Sequence, residues 1–301
     1  MGIYTSVAQM IGHTPLLEAK NLEKEMGLNA RLLLKLEGMN PGGSTKDRAA
    51  LSILEDAEER GILPPYGTVI EATSGNMGIA LAALCRSRGY RCIIVMPDSM
   101  SPQRRQLMAA YGAQVVLTPG AEGMTGAIKT AEALHAQIPG SFLPKQFENE
   151  AGVLAHYRTT GPEIWLQTQG KVEVLVAGVG TGSTITGIAR YLKAQKTNIC
   201  IVAVEPASSP LLSYGHAGSH GIEGIGANFL PKILDVSLID EVVTVTDEAA
   251  FAAAKALNAK GVPAGISAGA NAWAAARFAN TGAHTVTVLP DSADRYSILE
   301  R

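Results

Sequence analysis

The sequence predicts an α/β protein, and three observations predict it. Short apolar runs of strand length alternate with helix-length amphipathic segments, the pattern of a parallel sheet with crossover helices. Several glycine-rich or hydroxyl-rich loops each follow a strand-like run and open a helix-like one. A chain of 301 residues that is 47% hydrophobic and 17% charged can also bury a large core, and its length suggests about two domains.

In chain order the expected strands are "RLLLKLE" (31–37), "TVIEA" (68–72), "CIIVMP" (92–97), "QVVLT" (114–118), "VEVLVAG" (172–178), "CIVAVEP" (200–206), "EVVTVT" (241–246) and "HTVTVLP" (284–290). Helices fill the intervals. In 46–60 an apolar stripe runs through Leu51, Ile53, Leu54 and Ala57, and Gly61 is the stop. There is no internal repeat, low-complexity tract or charged tail. A change of character at 140–150, "GSFLPKQFENE", separates one strand-helix series from the next, and the domain junction is expected there, with domains at 1–146 and 147–301.

Composition narrows the function. A formal charge of −2 leaves no basic excess of the kind that a phosphate backbone requires, so nucleic acid is not an expected partner. Cys85, Cys92 and Cys200 show neither CxxC spacing nor a neighbouring histidine cluster, which points to a reducing cytoplasm and no metal. The start, "MGIYTSVAQMIGHTP", lacks the basic and apolar regions of a signal peptide, and no run approaches the roughly 18 apolar residues of a membrane span. Neither export nor a membrane is expected.

Four loops carry the chemistry. "NPGGSTKD" (40–47) places Lys46 at the head of a helix; the spacing is wrong for a Walker A loop, and a solvated lysine is the plain alternative. "EATSGNMG" (71–78) offers Thr73, Ser74 and Asn76 beside helix N-terminal amides, a cup suited to a carboxylate; an N-cap with a glycine turn explains part of it. "GVGTGST" (178–184) can be read as a dinucleotide fingerprint, with Glu205 as the ribose acid. However, Ser183 occupies the sixth position, and Thr181, Ser183 and Thr184 crowd the turn with hydroxyls, which suits a terminal phosphate monoester. The fourth, "LPDSADRY" (289–296), presents Ser292 at a strand end, or is an Asp-Ser turn after Pro290. A lysine, a carboxylate cup, a phosphate cup and a small hydroxyl are together the parts for holding pyridoxal phosphate and an amino acid.

In order and spacing, "NPGGSTKDR", "EATSGNMGIALA", "MPDSMSPQRR", "QFENEAGVLAHYRTTGPEIW", "GVGTGSTITGIARYLK", "VAVEP", "GIGANFLP" and "LPDSADRY" resemble the cysteine synthases (O-acetylserine sulfhydrylases) and the catalytic core of cystathionine β-synthases. The resemblance runs from "IGHTPL" (11–16) to Tyr296. It implies a fold-type II pyridoxal phosphate enzyme, tryptophan synthase β-like, with two three-layer α/β domains and largely parallel sheets. It also implies that a segment at about 13–35 crosses to the second domain, and that the protein is a homodimer.

By motif, the resemblance makes Lys46 the Schiff-base lysine and Asn76 the partner of the cofactor's phenolic oxygen. It makes 180–184 (Gly180, Thr181, Gly182, Ser183 and Thr184) the phosphate loop, and places Ser292 at the pyridine nitrogen, with Asp291 a loop residue. Thr73, Ser74, Gly75, Met77, Gln146 and Gly224 fall at substrate-binding positions. The implied reaction is β-replacement, making L-cysteine from O-acetylserine or another activated serine and sulfide. A cysteine or serine β-lyase or exchange enzyme is the alternative, and a nucleotide-binding protein is a third. Some relatives take the C-terminal tail of serine acetyltransferase in the active site, which makes that tail a candidate partner. Two residues depart from the family pattern: Met77 stands where Thr is common, and Ser183 where Gly is usual. Met77 is the departure expected to change the preferred substrate.

Overall fold

The structure is a computed structural model, and it describes residues 3–296. Among the described residues ten strands run in chain order: β1 (Leu16–Glu18), β2 (Leu32–Leu36), β3 (Thr68–Ala72), β4 (Arg91–Pro97), β5 (Gln114–Thr118), β6 (Ser141–Phe142), β7 (Val174–Gly178), β8 (Cys200–Pro206), β9 (Glu241–Val245) and β10 (Thr285–Leu289). All eight expected strands form. The two additions, β1 and β6, have three and two residues, too few for a periodic signal.

The chain divides into two compact units. The first holds the described residues up to Ile11 together with Lys46–Gly152, and the second holds Gly12–Thr45 and the described residues from Val153 on. These bounds differ from a junction at 146/147 because the chain past Gln146 still packs with the first unit: Ala151 belongs to its core, and its carbonyl accepts the Ser52 hydroxyl at 2.7 Å. The segment assigned to the second unit also extends beyond 13–35, because β2 is followed by a loop anchored there through Thr45, whose N–H donates to Pro290 O at 2.8 Å.

In the first unit the sheet order is β5-β4-β3-β6, all parallel. Alternate residues sort to its two faces. Val69, Cys92, Ile94 and Met96 pack with the helices Lys46–Glu59 and Asn76–Arg88, whereas Ile70, Ile93 and Val95 pack with Ala127 and Ala131 of Gly123–Gln137. In the second unit the order is β1-β2-β10-β7-β8-β9, with only the β1–β2 pair antiparallel. Leu32, Leu34, Val176, Val202 and Val243 cover one face against Asp247–Ala259 and Ile266–Asn280. Leu33, Leu175, Ile201 and Val286 cover the other against Gly161–Gln167 and Ser183–Gln195. Each unit is thus a helix–sheet–helix sandwich of three layers, because period-2 side chains must be buried on both faces.

One polar group is sealed into the second unit. Lys35, fully buried in β2, donates from Nζ to Thr14 O at 2.7 Å, Glu163 Oε2 at 2.6 Å and Gln167 Oε1 at 2.9 Å. A buried cation needs such a set of acceptors, and this set ties the start of the 12–45 segment to the helix Gly161–Gln167. Among the described residues, no helix is long and apolar enough to cross a membrane.

Candidate active site

Lys46 is the first residue of its helix in the first unit, and the loop before it is built in the second. Asn40 accepts the Gly12 N–H at 2.8 Å and donates to Glu37 O at 2.9 Å. Gly43 has φ +83°, the left-handed region that favours glycine, and a Cβ there would displace the Arg295 guanidinium from its present position. Arg295 Nη2 donates to Gly42 O, and Ser44 bridges Asp291. The chain that delivers Lys46 is therefore clamped to the loop that carries Ser292.

The loop 73–77 ends β3 and opens Asn76–Arg88, with Gly75 as its N-cap and no acidic residue in the first turn. Thr73 is buried and its Oγ1 accepts the Gly75 N–H at 3.4 Å, while Ser74 and Asn76 are half-buried. A Cβ on Gly75 would meet nothing within 4 Å, so the loop is open on that side. Gln146 joins this loop through a residue that the sequence reading passed over. Glu71 is 4% exposed, and its carboxylate accepts the Lys145 N–H at 3.0 Å and the Gln146 N–H at 3.3 Å, holding a turn in which Lys145 has φ +51°. Burial pushes the Glu71 carboxyl up to about 7, against the opposing pull of those two N–H groups. The signal was a glutamate inside the apolar run "TVIEA".

Met77, expected at a substrate-binding position, has a buried side chain. Its side chain is 2% exposed in the first unit's core, on the buried side of its helix with Ile79, Ala80 and Leu81. The N-cap at Gly75 turns the next residues into helix, and helical spacing carries Met77 inward.

In the second unit, 180–184 connect β7 to the 13-residue helix Ser183–Gln195, whose first turn holds no acidic residue. Gly182, the N-cap, has φ +86° and no room for a Cβ, which would sit 2.8 Å from Leu234 Cβ. A Cβ on Gly180 would sit 2.4 Å from Gly224 O, and the Gly226 N–H donates to Val179 O at 2.9 Å, so the fold brings Gly224 against this loop. Thr181 and Ser183 are buried and share a hydrogen bond at 2.9 Å. Helix N-terminal amides, three hydroxyls and two glycines without space for side chains make a cradle that fits a phosphate monoester.

Glu205 does not serve a ribose. It is 3% exposed, and its two oxygens accept the N–H groups of Leu212 at 2.7 Å and Ser213 at 2.9 Å. A carboxylate committed to backbone in this way leaves the dinucleotide reading without its acid. Ser292 Oγ donates to Asp294 Oδ1, and Asp291 accepts the Tyr296 hydroxyl at 2.6 Å, a fixed loop residue. Among the described residues, no group of three or more His, Cys, Asp or Glu could hold a metal ion.

The family described as pyridoxal-phosphate dependent enzyme matches residues 7–291. A cysteine synthase of Staphylococcus aureus is 44% identical over 296 residues, 97% of this chain and 94% of that protein. The crystal structure of a cysteine synthase from Entamoeba histolytica superposes with a TM-score of 0.94 at 38% identity, covering 98% of this chain and 89% of that one. That of a hydrogen sulfide-producing enzyme from Fusobacterium nucleatum superposes with a TM-score of 0.92 at 42% identity, covering 98% of this chain and 100% of that one. This chain belongs to the pyridoxal-phosphate dependent enzymes, on their cysteine synthase branch.

Proposed function

We propose that the protein makes L-cysteine from O-acetylserine, or a similarly activated serine, and sulfide. The observation that carries this reading is the pair of helix N-terminal loops, one open and hydroxyl-lined at 73–76 and one closed and hydroxyl-lined at 180–184, in a chain 44% identical to a cysteine synthase. Pyridoxal phosphate, when bound, supplies the electron sink that lets a β-substituent leave an amino acid and a nucleophile replace it.

The chain's own residues then have defined tasks. Lys46 is the residue that would hold the cofactor covalently through Nζ, and its amine, when free, would serve as the base for the substrate's α-proton. Thr73, Ser74 and Gln146 bind the substrate carboxylate, with the backbone at Gly75 and Gly224 leaving room for the amino acid. Asn76 would donate to the cofactor's phenolic oxygen, and 180–184 would hold its phosphate. Ser292 would face the pyridine nitrogen of the bound cofactor; a hydroxyl, unlike a carboxylate, would not stabilise a ring proton, which would favour β-elimination over transamination.

A second reading, release of sulfide from cysteine, follows the Fusobacterium nucleatum relative. Both are tested by incubating the holoenzyme with O-acetylserine, serine or cysteine, with and without sulfide, and weighing the products. Cysteine formed from O-acetylserine at the highest kcat/KM supports the synthase, and faster sulfide release from cysteine supports the lyase. Lys46→Ala should abolish both reactions and remove the cofactor mass that borohydride reduction fixes to this lysine; a label retained elsewhere would refute its role. A homodimer is part of the proposal, supported by the exposed apolar side chains of Ile3, Tyr4 and Met10, and light scattering tests it. Capture of a serine acetyltransferase C-terminal peptide and a cytoplasmic location complete it.

A further inference from the structure

The tasks above leave one buried polar group beside the phosphate loop unused. His156 is 1% exposed and begins a single turn of π-helix, His156–Thr160, a distortion that recurs at functional sites. Its Nδ1 lies 2.8 Å from Thr160 Oγ1, and its Nε2 lies 3.2 Å from Thr184 Oγ1. Thr160 is fully buried, whereas Thr184, in the first turn of Ser183–Gln195, is half-buried.

Small residues bring the two elements together. A Cβ on Gly187 would sit 2.3 Å from Val153 O and 2.7 Å from His156 Cβ, and one on Gly161 would sit 2.7 Å from Tyr191 Cβ. With those positions bare, the helix settles onto the π-turn, and Tyr157 and Tyr191 close the contact edge to face at 5.8 Å. The imidazole is thereby held at hydrogen-bonding distance from a hydroxyl of the phosphate loop.

The direction of that hydrogen bond matters. A threonine hydroxyl has one proton and two lone pairs. If Nε2 accepted, the Thr184 proton would point to the ring and only lone pairs would face the loop's ligand, repelling an anion. If Nε2–H donates, the Thr184 proton is available to a phosphate oxygen. In the neutral ring Nδ1 then accepts from the Thr160 hydroxyl, so the chain of donors runs Thr160, His156, Thr184, anion. We propose that His156 is a positioning residue of the phosphate loop, whose Nε2–H holds the Thr184 oxygen so that the hydroxyl donates outward to a phosphate monoester. The proposal rests on the reading of 180–184 as the cofactor's phosphate loop.

The test compares His156→Phe, His156→Gln, Thr184→Val and the His156→Phe/Thr184→Val double variant as holoenzymes. Two quantities are read: the dissociation constant of pyridoxal phosphate, from absorbance after dialysis, and the ³¹P resonance of the bound phosphate. Thr184→Val should weaken retention roughly tenfold, the value of one hydrogen bond to a charged group. His156→Phe should weaken it by a similar factor and move the ³¹P resonance the same way, and the double variant should be no worse than either single one. His156→Gln, whose amide N–H can stand where Nε2–H stood, should stay within about twofold of the parent. Should His156→Phe fail to fold, the comparison of His156→Gln with Thr184→Val still decides. A double variant that loses the product of the two factors, or a glutamine variant that loses as much as Thr184→Val, would show the ring acting by packing and overturn the proposal. Unchanged retention and resonance in Thr184→Val would instead remove the phosphate-loop reading, and the proposal with it.

Discussion

The loop at 73–77 and the loop at 180–184 solve the same problem in opposite ways. Each links a parallel strand to a helix of 13 residues whose first turn carries no acidic side chain, so both present amides to an anion. In the first unit the N-cap Gly75 has an extended backbone, φ −118°, and faces open space. In the second, the N-cap Gly182 is left-handed, and its neighbour Gly180 presses on a backbone oxygen. The difference matches the ligands proposed: an open cup for an amino acid that comes and goes, and a closed cradle for a phosphate that stays. The strand-end glutamates repeat the theme. Glu205 ties down a short helix in the second unit, whereas Glu71 holds the strained turn that presents Gln146 in the first.

The sharpest way to break this comparison is to put one methyl on each loop. Gly180→Ala should cost about 3 kcal/mol of unfolding free energy, because Cβ would lie 2.4 Å from Gly224 O and the backbone must give way, and cofactor retention should fall with it. Gly75→Ala should change stability by less than about 0.5 kcal/mol and act on KM instead. Urea unfolding of the two variants checks the contrast, and equal losses would end it.

The next effect comes from Glu71. Its carboxyl titrates at about 7 against an ordinary 4.5, so the folded state binds this proton more tightly than the unfolded chain. The stabilisation is therefore fully present below pH 4.5 and is lost as pH rises through about 7, a loss of about 3 kcal/mol. Glu71→Gln should remove that slope. The difference between parent and variant stability, followed from pH 4.5 to 7.5, isolates it from all other carboxylates, and a flat difference curve would place the proton elsewhere.

The effect expected at Met77 is smaller than that at Glu71. Because the side chain is core, Met77→Thr should cost about 2 kcal/mol through lost apolar packing. The ratios of kcat/KM among O-acetylserine, cysteine and serine should stay within about twofold. A change of substrate preference without a loss of stability would return Met77 to the substrate cup.

Most of the fold was legible because it is local. "TVIEA", "QVVLT" and "CIVAVEP" become β3, β5 and β8 with the expected ends, since a continuous apolar run between helices has few other places to go. The candidate loops were legible for the same reason, a strand and a helix start being visible on either side. Glu205 and Met77 were not, because what a carboxylate accepts and which way a helical side chain faces depend on contacts with residues far away in sequence or on the local helix phase.

By itself the sequence determined the α/β class, eight strands, a lysine at a helix start, two hydroxyl-bearing loops that open helices and a net charge of −2. Each follows from composition or from periodicity within about ten residues. Only the tertiary structure decided that β10 lies between β2 and β7, that the segment joined to the second unit extends to Thr45, that Glu71 secures Gln146, and that His156 reaches Thr184. Those are pairings across 28 to 253 residues, such as His156 with Thr184 and Arg295 with Gly42. They are settled by which buried polar groups find partners and which glycines let backbones meet, and neither can be read one segment at a time.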